Sequence, residues 1–319
     1  MAMEGHNRKV CFMGKADAAI ETVKQIIRTH FGCDTDEIGK IRNITNNSVY
    51  FFTIAGKRYY LKLYRSKNWP EKGKVPFVYQ RLSQNHIRSA ELIAYNRDNE
   101  MYPNGYLIEY EIQGTAADKI LLDREQEIGL YIKLAELMSS VHSICIPNYG
   151  YIGSGIASHN SMIDFLEDEF DGIDDSLEGI VPEKQLKKMK AMVLDTMHNY
   201  EDLPSVLCHG DLSKKNVIIC DDGEISLIDW DDAMALNWMA DVSRLTFWMK
   251  QNYSNQEYSL FRNVFFDHYG ATHRKAQFDA FESAYHIYTT LDFLIFSIRV
   301  GDTETENRLK SCLDSFNTL

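Results

Sequence analysis

The chain has 319 residues, 45% of them hydrophobic, enough for one large or two medium domains with a full core and against any long disordered span. Its 34 basic and 46 acidic residues leave a formal charge of −12, which argues against nucleic acid or an anionic membrane as main partner and favours a cationic small molecule. Six cysteines, at 11, 33, 145, 208, 220 and 312, form neither a CxxC pair nor a zinc spacing, so they are expected as reduced thiols.

The stretch MAMEGHNRKVCFMGK lacks an apolar core fit for a signal peptide. The longest apolar run elsewhere is interrupted by His286, Asp292 and Arg299, so the expected location is the cytoplasm. Residues 17–31 set Ala18, Ile20, Val23, Ile26, Ile27 and His30 at helical spacing. Three strands follow, at 38–44, 49–54 and 58–64, joined by a polar turn from Thr45 to Ser48 and by Ala55, Gly56 and Lys57. Lys62 alternates with Leu61 and Leu63 in the third strand, a pattern that usually marks a solvated face. A helix within 70–84 holds one acid, Glu71, in its first turn, where the helix dipole alone accounts for it. Residues 90–95 and 106–112 form two further strands around Pro103, Asn104 and Gly105. Five strands with flanking helices ahead of a mostly helical remainder predict an α+β, two-lobe architecture, divided as 1–110 and 111–319.

In the second part, Ile128, Tyr131, Ile132, Ala135, Met138 and His142 mark a long amphipathic helix ending before Pro147, with His142 as a packed core histidine. Residues 164–178 hold eight acids and no Lys or Arg. This is either a solvated helix face or a surface for a cationic acceptor, with Glu167 as its candidate contact. From 247 to 296 there are 14 aromatics in 50 residues, and Phe278, Phe281, Tyr285 and Tyr288 recur at the spacing of core packing. Asp292, in an apolar helix, needs a partner, either a core hydrogen bond or a substrate ammonium.

The chemistry is concentrated in LCHGDLSKKNVIICDDGEISLIDWDD, residues 207–232. Val217 to Cys220 and Ile225 to Ile228 read as the two strands of a hairpin, with Asp221, Asp222 and Gly223 at its turn. Closure of that hairpin brings Asn216 near Asp229. An acid, an amide and a second acid in one cleft suit phosphoryl transfer to a hydroxyl. Asp211 is the candidate general base, a role that contributes roughly 10²–10⁴-fold in general. Asn216 and Asp229 supply the hard oxygens that Mg²⁺ takes. His209 is expected to hold the loop rather than to move a proton.

HGDLSKKN followed by IDWDD resembles the catalytic loop and metal-binding segment of the aminoglycoside phosphotransferase and choline kinase family, distant relatives of protein kinases. Gly210 stands where protein kinases have Arg, and Trp230 and Asp231 where those have Phe and Gly, the small-molecule form of the motif. The resemblance implies a bilobal protein-kinase-like fold, with an N-terminal antiparallel five-stranded sheet and a larger helical lobe. It implies ATP or GTP as phosphoryl donor with Mg²⁺, and Lys62 on the α- and β-phosphates, with Glu71 as the uncertain helix partner of that lysine. It further implies phosphate contact from Ser48, adenine contact from backbone groups near Glu109 to Ile112, and Asp241 as a brace for the catalytic loop. The acceptor is then a small, amine-bearing alcohol, aminoglycoside-like, with Asp231, Asp292 and Glu167 as candidate contacts. Choline, homoserine or a ketosamine are the alternatives. The reading from another class, a catalytically silent nucleotide-binding protein of the same fold, would be marked by loss of Lys62, Asp211, Asn216 or Asp229, and all four are present.

Overall fold

The computed structural model describes residues 20–41, 47–270 and 275–316. Cys11, the start of the first expected helix, and Ile44, Thr45 and Asn46 lie outside them.

Helix α1 (Ile20–Phe31) turns Val23, Ile26 and Ile27 to one side. They pack on Phe52, Leu61, Leu63, Tyr106 and Ile108 of a five-stranded sheet. The strands are β1 (Glu37–Lys40), β2 (Asn47–Ile54), β3 (Lys57–Tyr64), β4 (Leu92–Asn96) and β5 (Tyr106–Tyr110), ordered β1-β2-β3-β5-β4 and antiparallel throughout. Because side chains alternate along a strand, Leu61 and Leu63 go to α1, while Lys62 and Tyr64 go to the opposite face. On that face Tyr64 packs with Val75, Val78 and Leu82 of helix α2 (Lys74–Gln84). The helix starts three residues after Glu71, so that acid precedes it and does not sit in its first turn.

The chain leaves the sheet at Tyr110, and β6 (Gly114–Ala116) pairs instead with β10 (Val217–Cys220). A Cβ at Gly114 would fall 2.3 Å from the Ile219 carbonyl oxygen, so only glycine permits this crossing. Helix α3 (Arg124–Val141) opens with a capping box made by Asp123 and Gln126. Next come β7 (Tyr149–Ile152), β8 (Ala157–His159), α4 (Met162–Leu177), α5 (Glu183–Met197) and β9 (Val206–Cys208). After β10 follow β11 (Ile225–Leu227), β12 (Met234–Leu236), α6 (Trp238–Asn252), α7 (Asn255–Tyr269), α8 (Lys275–Val300) and α9 (Thr303–Phe316). The α+β, two-lobe expectation holds: an antiparallel sheet with its helices, then a mainly helical part.

Four aromatics of α8, Phe278, Phe281, Tyr285 and Tyr288, are buried in the core, as their spacing predicts. The described cysteines Cys33, Cys145, Cys208, Cys220 and Cys312 form no disulfide with one another. No helix among the described residues is long and apolar enough to cross a membrane.

Candidate active site

The hairpin forms as its turn residues dictate. β10 pairs with β11, Val217 opposite Leu227, and Gly223 takes a left-handed φ of 83° at the turn. At the open end the Ile228 N–H donates to the Asn216 carbonyl at 3.0 Å, which sets Asn216 beside Asp229. Asp229 itself has a φ of 65°, a left-handed conformation that costs a non-glycine residue energy and turns its side chain out of the hairpin.

The loop before the hairpin is held from behind. His209 is buried, and its Nε2–H donates to the Ile228 carbonyl at 2.9 Å, leaving Nδ1 to accept the Asp211 N–H at 3.3 Å. Trp230 packs against the His209 ring with centroids 4.6 Å apart. Asp241 on α6 accepts the backbone N–H groups of His209 at 2.5 Å and Gly210 at 2.9 Å. Burial pushes its carboxyl up, but the hydrogen bond and charge of His142 outweigh that and hold it below its ordinary value. His142 is fixed in turn by the Tyr269 hydroxyl at 2.6 Å. Gly210 has a φ of +81°, and a Cβ there would lie 2.0 Å from the Asp232 carbonyl oxygen. Close contact between the loop and IDWDD is therefore the physical reason for glycine at this position.

Asp211 has one engaged oxygen and one that is buried without a partner. Its Oδ2 accepts Asn216 Nδ2 at 3.0 Å and pairs with Lys215 at 2.9 Å, while Oδ1 has no hydrogen-bond partner. Asn216 also donates from Nδ2 to the Asp211 carbonyl at 2.8 Å, so its amide nitrogen is committed and its oxygen is the free end. Lys62 reaches across from β3 to Asp229 at 2.7 Å and Asp231 at 3.0 Å. Burial would lower the ammonium's pKa, yet the two carboxylates outweigh it and raise it above the ordinary value. Lys62, Asp211, Asn216 and Asp229 are thus brought to one cleft.

Other expected residues fall elsewhere. Ser48 is opposite Leu63 in register and shares its α1-facing side, so its hydroxyl is turned away from Lys62. Asn47 takes the cleft side instead, donating to Asp231 at 3.4 Å. Glu71 pairs at 2.6 Å with Lys74, a buried lysine whose ammonium lies 3.8 Å over the Trp69 ring, and it does not reach Lys62. Asp231 is buried, bonded by Lys62 and by the Tyr64 hydroxyl at 3.1 Å.

Glu109 lies within β5, paired to Tyr60 on one side and Leu92 on the other. Its carboxyl, on Lys62's side of the sheet, accepts the Tyr79 hydroxyl. Burial first, opposed by Lys62 and reinforced by Asp231 and Asp229, pushes that carboxyl up to about 7. Ile112 lies between β5 and β6, where its backbone belongs to neither strand.

Glu167 is on the exposed side of α4, whereas Glu169 accepts the hydroxyls of Tyr151 at 2.6 Å and Tyr288 at 2.9 Å. Asp292 pairs with the buried Arg244 at 2.8 Å, the internal partner that its setting called for. Sequence reasoning missed Asn47, Lys74 and Glu169. Only strand register or helix phase could have separated them from their neighbours.

The donor set fits Mg²⁺: an exposed carboxylate from Asp229 and an amide oxygen from Asn216 are the hard oxygen ligands that this cation takes.

A profile of the phosphotransferase enzyme family matches residues 38–278. No curated protein sequence matches the chain. Among solved structures, the thermostable mutant of aminoglycoside phosphotransferase APH(4)-Ia with AMP-PNP and hygromycin B superposes with a TM-score of 0.72 at 20% identity, over 92% of this chain and 97% of that one. Choline kinase LicA from Streptococcus pneumoniae gives 0.64 at 15%, over 93% and 99%. The GDP and kanamycin complex of the aminoglycoside 2″-phosphotransferase gives 0.64 at 13%, over 93% and 98%. At these identities the likeness is one of fold. The profile match spans most of the chain and encloses Lys62, HGDLSKKN and IDWDD in order, and the chain belongs to the phosphotransferase enzyme family.

Proposed function

We propose that the protein transfers the γ-phosphoryl group of ATP or GTP to a hydroxyl of a small, amine-bearing acceptor. The observation that carries this reading is Asp211, whose Oδ1 is buried without a hydrogen-bond partner beside Asn216, Asp229 and Lys62. In the reaction, Asp211 takes the acceptor's hydroxyl proton as that oxygen bonds to the γ-phosphorus. The bond to the β–γ bridging oxygen breaks, and the nucleoside diphosphate leaves. Lys62 neutralises the α- and β-phosphates. Asn216 Oδ1 and Asp229 would hold Mg²⁺, which neutralises charge on the phosphates when bound. His209 and Asp241 fix the loop that aims Asp211 and take no proton.

The nucleobase is assigned to the link between the lobes, at the Ile112 backbone, with the Glu109 carboxyl behind it. Neighbouring structures that hold a nucleotide together with a small molecule, AMP-PNP with hygromycin B and GDP with kanamycin, support a donor paired with a small acceptor. The preference for an amine-bearing acceptor comes from the carboxyls gathered here, Asp211, Asp229, Asp231 and Asp232, to which an ammonium would be drawn; burial first, and then Asp211 and Asp229, push the Asp232 carboxyl up to about 7. The acids on the outer face of α4 play no part in this, because that face is solvated.

Incubation with Mg²⁺ and either ATP or GTP, against a panel of aminoglycosides, choline, ethanolamine, homoserine and ketosamines, tests the proposal through acceptor-stimulated ADP or GDP release. Failure of both nucleotides to bind in the presence of Mg²⁺ would remove it.

A further inference from the structure

A lysine that is to meet phosphates in a cleft needs an anionic partner that keeps its chain extended before and after the ligand arrives. Helix α2, the nearest helix to the cleft face of β3, has no acid anywhere in KVPFVYQRLSQ. Glu71, just ahead of it, is committed to Lys74 at 2.6 Å. The partners of Lys62 come instead from the segment after the hairpin, and the two are not equivalent. Asp229 has a side chain 48% exposed and a left-handed backbone, and it is the carboxylate proposed to turn to the metal. Asp231 has a side chain only 8% exposed. Its Oδ1 accepts the Tyr64 hydroxyl at 3.1 Å, and its Oδ2 accepts Lys62 at 3.0 Å and the Asn47 amide at 3.4 Å. Its carbonyl accepts the Lys74 ammonium at 3.2 Å. Both side chain and backbone are therefore pinned, by β2, β3 and the start of α2. A carboxylate held this way has no freedom to follow a metal, and it stays on Lys62 when Asp229 leaves.

We propose that Asp231 is the positioning residue for Lys62, performing from the IDWDD segment a task that no residue of α2 can perform. This inference rests on the phosphotransferase reading. It assigns Lys74 a role as well: with Glu71 and Trp69 it forms a buried cationic post that fixes the Asp231 backbone. Nucleotide binding then exchanges one of the two partners of Lys62 for phosphate and keeps the other, so the lysine does not swing.

The test is a double-mutant cycle read by calorimetric titration of Mg-ATP and Mg-GTP into wild type, Lys62→Met, Asp231→Asn and the double variant, with adenosine and guanosine as phosphate-free probes. Because hydrogen bonds to charged groups are at stake, each single variant should weaken binding of the preferred Mg-nucleotide about ten- to a hundredfold. The double variant should bind no more weakly than Lys62→Met alone. Nucleoside affinity should not change in Asp231→Asn, and Asp231→Glu should recover part of the loss. Losses that add in the double variant, or an equal loss for the nucleoside, would overturn the assignment, because a merely structural residue would behave that way. Should Asp231→Asn not fold, Tyr64→Phe, which removes one hydroxyl from Asp231, is expected to weaken Mg-nucleotide and not nucleoside. Unchanged Mg-nucleotide binding in that variant would overturn the proposal. A wild type that binds neither Mg-nucleotide would instead defeat the phosphotransferase reading and this inference with it, an outcome distinct from wild-type binding with additive losses.

Discussion

The two oxygens of Asp211 divide its work. Oδ2 is taken by Asn216 and Lys215, which fix the carboxylate's plane, and Oδ1, without a partner, is the atom proposed to take the acceptor's proton. Glu109 shows a different use of a buried acid. Its carboxyl has an ordinary value of 4.5 and is pushed up to about 7 in the fold, chiefly by burial. Between those values the folded protein holds a proton that the unfolded chain has lost, so stability falls as pH rises through this window and the loss is complete above it. Glu109→Gln should therefore raise the Tm by a few degrees at about pH 8 and leave it unchanged near pH 4.5. An equal shift at both pH values in a thermal melt would show that the charge is not the cause.

At this scale the sequence is legible where spacing along the chain decides proximity. Asp211, Asn216 and Asp229 belong to one loop and hairpin, so their order alone brings them together. It is illegible where one position of phase decides. Ser48 and Asn47 are neighbours on opposite faces of β2, and the start of that strand sets which of them meets the cleft. Glu167 and Glu169 stand about 200° apart around α4, and only packing on Tyr151 and Tyr288 chooses the inward one.

The catalytic loop depends, as an element, on two contacts from later in the chain. Gly210 meets the Asp232 carbonyl so closely that Gly210→Ala must move one of the two backbones, and its φ of +81° adds strain. The expected cost is about 1–3 kcal/mol, visible as a lower urea midpoint, with weakened turnover. A midpoint equal to wild type would mean that the loop is free to shift. Asp241 is the second contact. Asp241→Asn retains one acceptor oxygen but sets an amide against the N–H groups of His209 and Gly210, leaving a buried donor unmet. The expected loss is about 2–4 kcal/mol in the same measurement. A change below ~1 kcal/mol would contradict the bracing role.

The hairpin and the five strands were readable because turn residues and period-2 alternation are local signals. Helix α2 was readable as a helix but not in its electrostatics. Glu71 falls ahead of the helix rather than on it, and Lys74, flanked by Gly73 and Val75, gives no sequence sign of being buried between Glu71 and the Asp231 carbonyl. Ion pairing between distant segments has no periodicity to read.

Across the whole molecule, the sheet and its lysine on one side and the hairpin with Asp211 and Asp229 on the other enclose the proposed donor site. The helices from α4 onward make up most of the remaining chain. Their aromatic residues were legible as core, but their inward polar groups, Glu169, Arg244 and Asp292, were not assignable without the packing. The formal charge of −12 suits a cationic acceptor, although most of the acids in α4 face solvent and add only a diffuse field. No motif in that helical part points to one acceptor.

The most direct measurement of the central claim is transfer of labelled γ-phosphate from ATP or GTP to the acceptor panel, comparing wild type with Asp211→Asn. The account predicts label covalently bound to the hydroxyl of an amine-bearing acceptor by the wild type. It predicts a rate lower by roughly 10²–10⁴-fold in the variant, with Mg-nucleotide still bound. Transfer at the wild-type rate by Asp211→Asn, or label recovered only as inorganic phosphate with every acceptor, would contradict it.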